Sequence, residues 1–278
     1  MAQPLLRFAL GFVVSLLLTI ACNPKEGTMV KKDQTGNAYV PGTYAHRKPV
    51  KEDLVGNYVK AWEKRSLARK KEEGASIQSP ELPPCVAISR RIGVGALEIA
   101  DMVASRLEYG VADRELIEQI ASNANISQGA AAYFDERFPG YINRTFKFLF
   151  GEKAFTDNDY SRHLFQTVLA VATLSSTVFV GRGTHLILPR DRVLAVRCIC
   201  SRGYRVERIA AIMDISKDEA QKQLVDIDKE QAAFFRKVFG RKSAQPDEFD
   251  MVVNLDHFND PSDVAEIVAL AFHRKFGA

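Results

Sequence analysis

A chain of 278 residues, 46% hydrophobic and 26% charged, holds enough apolar material for a large core, which excludes a disordered or collagen-like polypeptide. Its formal charge of +4 is uneven: residues 29–80 carry 11 Lys/Arg against 6 Asp/Glu, which leaves residues 81–278 at about −2. The C-terminal part is therefore not a basic nucleic-acid surface, and only the N-terminal stretch could supply that attraction. The four cysteines, Cys22, Cys85, Cys198 and Cys200, show no CxxC spacing and no accompanying histidines. They argue against a zinc site and read as reduced thiols in apolar strands; no metal ligands are expected from them.

Residues 1–28 open with Phe8–Ala21, an apolar run of 14 residues after Arg7, which is short for a membrane span and suits a signal segment. Leu18–Cys22 resembles a bacterial lipoprotein cleavage site, so one expectation is export with a lipid anchor on Cys22. The other is a start at Met29, with a cytoplasmic product and residues 1–28 outside it. Residues 29–80 form a basic arm. Val50, Leu54, Tyr58 and Trp62 recur every four residues, which predicts an amphipathic helix over 50–71. That helix docks its stripe on the domain, or it serves a protein partner or a membrane surface. A linker with Pro80, Pro83 and Pro84 follows.

From residue 81 onward strands and helices alternate. Cys85–Ile88 reads as a buried strand, followed by a glycine turn and a helix through Leu97, Ala100 and Leu107. Gly110–Asp113 reads as a second strand, with a helix from Arg114 to about 124. Residues 128–150 read as two helical pieces broken near Pro139, and Asp159–Ser175 as a long helix. Thr177–Val180, Val193–Cys200 and Phe249–Leu255 read as three more strands. Helices are predicted at Tyr204–Met213, at Ser216–Val238 with Ser216 and Glu219 as a capping pair, and from Pro261. The pattern predicts an α/β fold with a five-stranded parallel sheet flanked by helices, preceded by the helical arm.

The turn Ser89-Arg90-Arg91-Ile92-Gly93-Val94-Gly95-Ala96 joins a strand to a helix, a layout in which backbone N–H groups cradle phosphate. It lacks the lysine and hydroxyl of a complete phosphate-loop motif: Ala96 and Glu98 stand where those residues would be. On the residues alone, a plain strand–turn–helix connection is equally compatible. Arg90 and Arg91 are candidates for the missing positive charge. Arg182, between Gly181 and Gly183, is a candidate for binding an acceptor phosphate. Asp113 is either a sugar-binding carboxylate or the N-cap of the next helix. Arg205 and Arg208 lie three apart on one helix, so both can face one site.

Taken in order, Ile88-Ser89-Arg90 with Gly93-x-Gly95, Asp113-Arg114-Glu115-Leu116-Ile117, Gly181-Arg182-Gly183, Tyr204-Arg205-Val206-Glu207-Arg208-Ile209, Asp228-Lys229-Glu230 and Phe249–Asn254 resemble the cytidylate kinase-like family over about residues 85–275. The resemblance implies a P-loop nucleoside monophosphate kinase fold with a mobile lid at 201–242 and a monophosphate-binding region at 125–175. It implies ATP and Mg²⁺ as cofactors and a nucleoside monophosphate, CMP-like, as acceptor. By the same resemblance Arg90, Arg205, Arg208 and Asp228 are the catalytic candidates. Ser89, Arg91, Gly93, Gly95 and Ala96 bind the triphosphate, and Asp113, Arg114 and Arg182 the acceptor. The sequence departs from the family at Ala96, which replaces a glycine, and at Gln231, which replaces an arginine. Both changes remove something useful to phosphoryl transfer, in which a single arginine is worth roughly 10³–10⁵ in rate. Two alternatives follow: a nucleotide-binding regulatory module that has lost catalysis, and a nucleic-acid or membrane-surface protein acting through its arm.

Overall fold

A computed structural model of the chain describes residues 82–122 and 159–277. The signal-like segment with Cys22, the arm helix with Leu54, Tyr58 and Trp62, and the aromatic stretch 128–150 lie outside those residues.

Every predicted strand is present: β1 (Cys85–Arg90), β2 (Gly110–Ala112), β3 (Thr177–Val180), β4 (Val193–Ile199) and β5 (Met251–Asn254). They form one sheet in the order β2-β3-β1-β4-β5, with every neighbouring pair parallel. The helices are α1 (Ala96–Leu107), α2 (Arg114–Ser122), α3 (Asp159–Leu174), a single turn α4 (Thr184–Ile187), α5 (Arg202–Met213), α6 (Lys217–Phe239) and α7 (Pro261–Phe276). The last strand is shorter than the sequence suggests, because Leu255–His257 tightens into a 3₁₀ turn. Helix α5 begins two residues earlier, where the Ser201 hydroxyl caps it by accepting from the Tyr204 N–H.

The central strands β1, β3 and β4 read as apolar runs because both faces of the sheet are covered there. Alternate side chains go to opposite sides. Ala87, Phe179 and Val193 pack with α2, α3 and the end of α6. Val86, Ile88, Val178, Val180 and Val196 pack with α1 and α7. A third, smaller cluster matters most for function. Ile92, from the glycine turn, is buried among Val206 and Ile209 of α5 and Ala220, Leu224 and Ile227 of α6. Burying one such side chain contributes about 1.5–3 kcal/mol, so the turn is fastened to the α5–α6 hairpin through its own apolar residue.

Strand β1 lies at the centre: the chain runs from it to β2 and back to β3 on one side, then crosses to β4 and β5 on the other. The crevice where a doubly wound sheet binds ligands therefore opens at the carboxyl end of β1, beside the glycine turn.

Candidate active site

The turn between β1 and α1 takes the shape a phosphate loop needs. Gly93 and Gly95 sit at φ of 92° and 84°, a left-handed backbone that other residues rarely adopt. A Cβ on Gly93 would stand 3.2 Å from Ile209 Cγ1 and 3.3 Å from Arg205 Cβ, so the glycine also lets α5 press against the loop. Gly95 is the N-cap of α1 and offers no side-chain acceptor, which leaves the first amides of the helix for an anion. Ala96 is fully buried as the first helical residue.

Two residues of the α5–α6 hairpin hold the loop from above. Arg205, 3% exposed, donates from Nε to the Ile92 carbonyl at 2.7 Å and from both Nη atoms to the Asp228 carboxylate at 3.0 and 2.7 Å. Gln231 Oε1 accepts from the Ile92 N–H at 3.4 Å. An arginine at 231 has no acceptor and could not make that bond. Arg205 and Asp228 thus pair with each other and with the loop backbone.

Arg208 reaches the loop by a different route. Its guanidinium carbon lies 3.2 Å from where a Cβ on Gly95 would be, and it pairs with Glu98 in the first turn of α1. A carboxylate there is favoured by the helix dipole, as a phosphate would be. Glu98 therefore stands as an internal anion at the mouth of the cradle.

The adjacent arginines diverge at the end of β1. Arg91 is exposed and turns to an opening beside β4, whereas Arg90 and Ser89 line a cleft, open to solvent, of about 90 Å³ at the ends of β1 and β3. Arg114 and Arg182 line the same cleft, with Ile227 and Phe234 as its apolar wall. Arg182 adopts a left-handed backbone at φ 52° with its side chain 7% exposed. It pairs with Glu118, and its guanidinium lies 4.0 Å from the Phe234 ring centroid. Burial, and then the Arg114 charge, lower its pKa to about 10, so it remains protonated at neutral pH. Glu118 also accepts from Arg114 Nε at 3.0 Å. Three guanidinium groups on one small cleft form a dense anion site of the kind that phosphate satisfies. Asp113 is buried and caps α2, its carboxylate accepting from the Leu116 N–H at 3.0 Å.

Sequence reasoning missed Glu118, Phe234 and the anchoring role of Gln231. Glu118 lies four residues after Arg114 on one helix and could have been read from that spacing. The others meet the site only through the α5–α6 packing. Among the described residues no group of three or more His, Cys, Asp or Glu side chains could hold a metal ion. A Mg²⁺-bound phosphate chain nonetheless fits the residues present. Its phosphates match the uncapped end of α1 and the Arg208 guanidinium, where Glu98 now stands as a competing anion, and the ion would keep its own waters.

The sheet order, the loop and the cleft define a P-loop kinase-like α/β fold. The family model of the cytidylate kinase-like family matches residues 85–257, and the chain belongs to that family. An uncharacterized protein from Eubacterium ventriosum has a similar structure: TM-score 0.54 at 15% identity, over 69% of this chain and 98% of that one. A gluconokinase from Sinorhizobium meliloti aligns over 70% of this chain and 94% of its own, with 12% identity and a TM-score of 0.39. A shikimate kinase from Bacteroides thetaiotaomicron aligns over 70% and 99%, with 12% identity and a TM-score of 0.36. A comparison with curated proteins finds no match.

Proposed function

We propose that the protein binds a pyrimidine nucleoside monophosphate in the Arg90–Arg114–Arg182 cleft and phosphorylates it at the expense of Mg-ATP. The observation that carries this reading is the convergence of those three arginines beside a glycine loop, in one cleft with an apolar wall suited to a base. Arg182 and Arg114, oriented by Glu118, hold the acceptor phosphate. Arg90, on the loop side of the cleft, neutralises charge between acceptor and donor. The amides at the start of α1 hold the donor phosphates, and Arg208 moves from Glu98 to them. Arg205 and Asp228 act as positioning residues that fix the loop. Mg-ATP supplies the transferred phosphoryl group, and the protein's task is placement and charge neutralisation. The same reading puts the protein in the cytoplasm, where nucleoside triphosphates are held; recovery of the protein in a membrane fraction would count against this.

The test is a coupled phosphoryl-transfer assay of the full chain against a panel of nucleoside monophosphates, with calorimetric titration of CMP and ATP. Arg182→Ala is expected to weaken the monophosphate more than ATP, because Arg182 lies at the end of β3, away from the loop. A second reading, nucleotide binding without turnover, is favoured by Glu98 in the cradle and by Gln231 in place of a cation. Binding of CMP and ATP with no transfer would select it, and failure to bind either would overturn both.

A further inference from the structure

On the other side of α6 a second opening, of about 110 Å³, is lined by Arg91 from the loop, Arg197 from β4, and Lys242 and Ser243 beyond α6, with Phe235 and Ala244 as apolar wall. We propose that this opening binds a phosphorylated small molecule carrying two adjacent phosphate groups, at a site separate from the acceptor cleft. The inference does not depend on the function proposed above.

The charge balance carries it. Among the described residues, the side chains of Arg91, Arg197 and Lys242 make no hydrogen bond or ion pair. The carboxylates nearby are already engaged. Asp228, which lines the opening, is held by both Nη atoms of Arg205. Glu248, whose charge acts on Arg197, is taken by Arg241 and by the Gln245 N–H, and lies 3.4 Å from His185. Arg197 sits over the Phe249 ring at 5.4 Å, and burial together with the Arg91 charge lowers its pKa. A half-buried cation placed beside another cation gains from an added anion. Two guanidinium forks can each take a pair of phosphate oxygens, the Lys242 ammonium can bridge them, and the Ser243 hydroxyl can donate one more bond. Three cations match a diphosphate better than a single phosphate.

The two clefts share Gln231 and Phe235, and Gln231 holds the loop at Ile92. A ligand in the second opening therefore touches a residue that sets the loop's position.

Inorganic pyrophosphate is the probe, titrated calorimetrically into the full chain at low salt, with CMP and a non-hydrolysable ATP analogue present to fill the acceptor cleft and the glycine-loop cradle. The unaltered protein is expected to bind pyrophosphate, and Arg197→Ala to weaken that binding by about tenfold or more, the scale of a lost charge-assisted bond. Lys242→Glu, at an exposed position that folding tolerates, should weaken it likewise, whereas Arg182→Ala should leave it unchanged. Pyrophosphate binding that survives Lys242→Glu, or that disappears with Arg182→Ala, would overturn the proposal, as would no binding by the unaltered protein. Loss of CMP binding alone would count against the acceptor cleft and leave this site standing.

Discussion

Replacing Arg205 with alanine separates a clamp from a catalytic group. The side chain is 3% exposed and makes three hydrogen bonds, two of them to a carboxylate. Breaking a fully buried ion pair costs about 3–5 kcal/mol. Asp228 is 36% exposed, so water recovers part of its solvation, and the pair is discounted to about 2 kcal/mol. The Ile92 carbonyl loses its donor, which adds about 1 kcal/mol. A destabilisation of about 3 kcal/mol is expected, read as a lower urea midpoint at constant m-value. Arg205→Lys keeps the charge but not the fork and should recover less than half of it. In a double-mutant cycle with Asp228→Ala the coupling should reach about 1–3 kcal/mol. Amide exchange at Gly93–Gly95 should accelerate in Arg205→Ala. If that variant kept its full stability and lost only phosphoryl transfer, the clamp reasoning would fail and Arg205 would have to reach substrate directly.

Other changes test the loop and its surroundings. Glu98→Gln removes the internal anion and should tighten ATP binding about threefold to tenfold, while destabilising α1 by about 0.5 kcal/mol through the lost charge at its N-terminus; unchanged ATP affinity in a titration would remove Glu98 from the phosphate position. Gly93→Ala meets both a positive φ and two close side chains, and should cost about 2 kcal/mol by thermal or urea unfolding while weakening nucleotide binding. His185 is buried against Phe249, and its pKa is lowered to about 3 by burial and by Arg241, Arg197 and Arg190, which outweigh Glu248 at 3.4 Å. The unfolded chain takes up the proton near pH 6.5 and the folded one only near 3, so stability is full above 6.5 and falls as pH drops between those values. The slope should approach about 1.4 kcal/mol per pH unit, and His185→Phe should flatten it in urea titrations across that range.

The sheet was readable from the sequence because its central strands β1, β3 and β4 are covered on both faces, while the edge strand β5 leaves Val252 exposed. Val86, Val111, Val178 and Val196 sit in short apolar runs bounded by glycine, proline or charge, and no helix of ordinary length fits such runs. The two glycines of the loop were readable for the same local reason. The roles of the charged residues were not. Arg205 and Asp228 lie 23 positions apart and look like two catalytic groups until α5 and α6 pack and turn them toward each other. Charge at helical spacing says which residues share a face, but not whether that face meets a ligand or a partner helix. Asp113 was open between two roles, and the hydrogen bond from the Leu116 N–H shows the capping one. Arg90 and Arg91 were read together, although the strand ends at Arg90 and the turn carries Arg91 to a different opening.

Fastening the glycine loop from both its carbonyl and its amide has a thermodynamic consequence. A cradle that orders only when phosphate arrives must lose its conformational freedom during binding, and part of the ligand's attraction is spent there. Here the Arg205 and Gln231 bonds and the burial of Ile92 order the turn when the chain folds. Association should therefore proceed in one kinetic step, without a slow closing phase that sets the rate. The α5–α6 hairpin is rooted in the same bonds. Any swing of that hairpin must pull on the loop, so the hairpin and the cradle would move as one body.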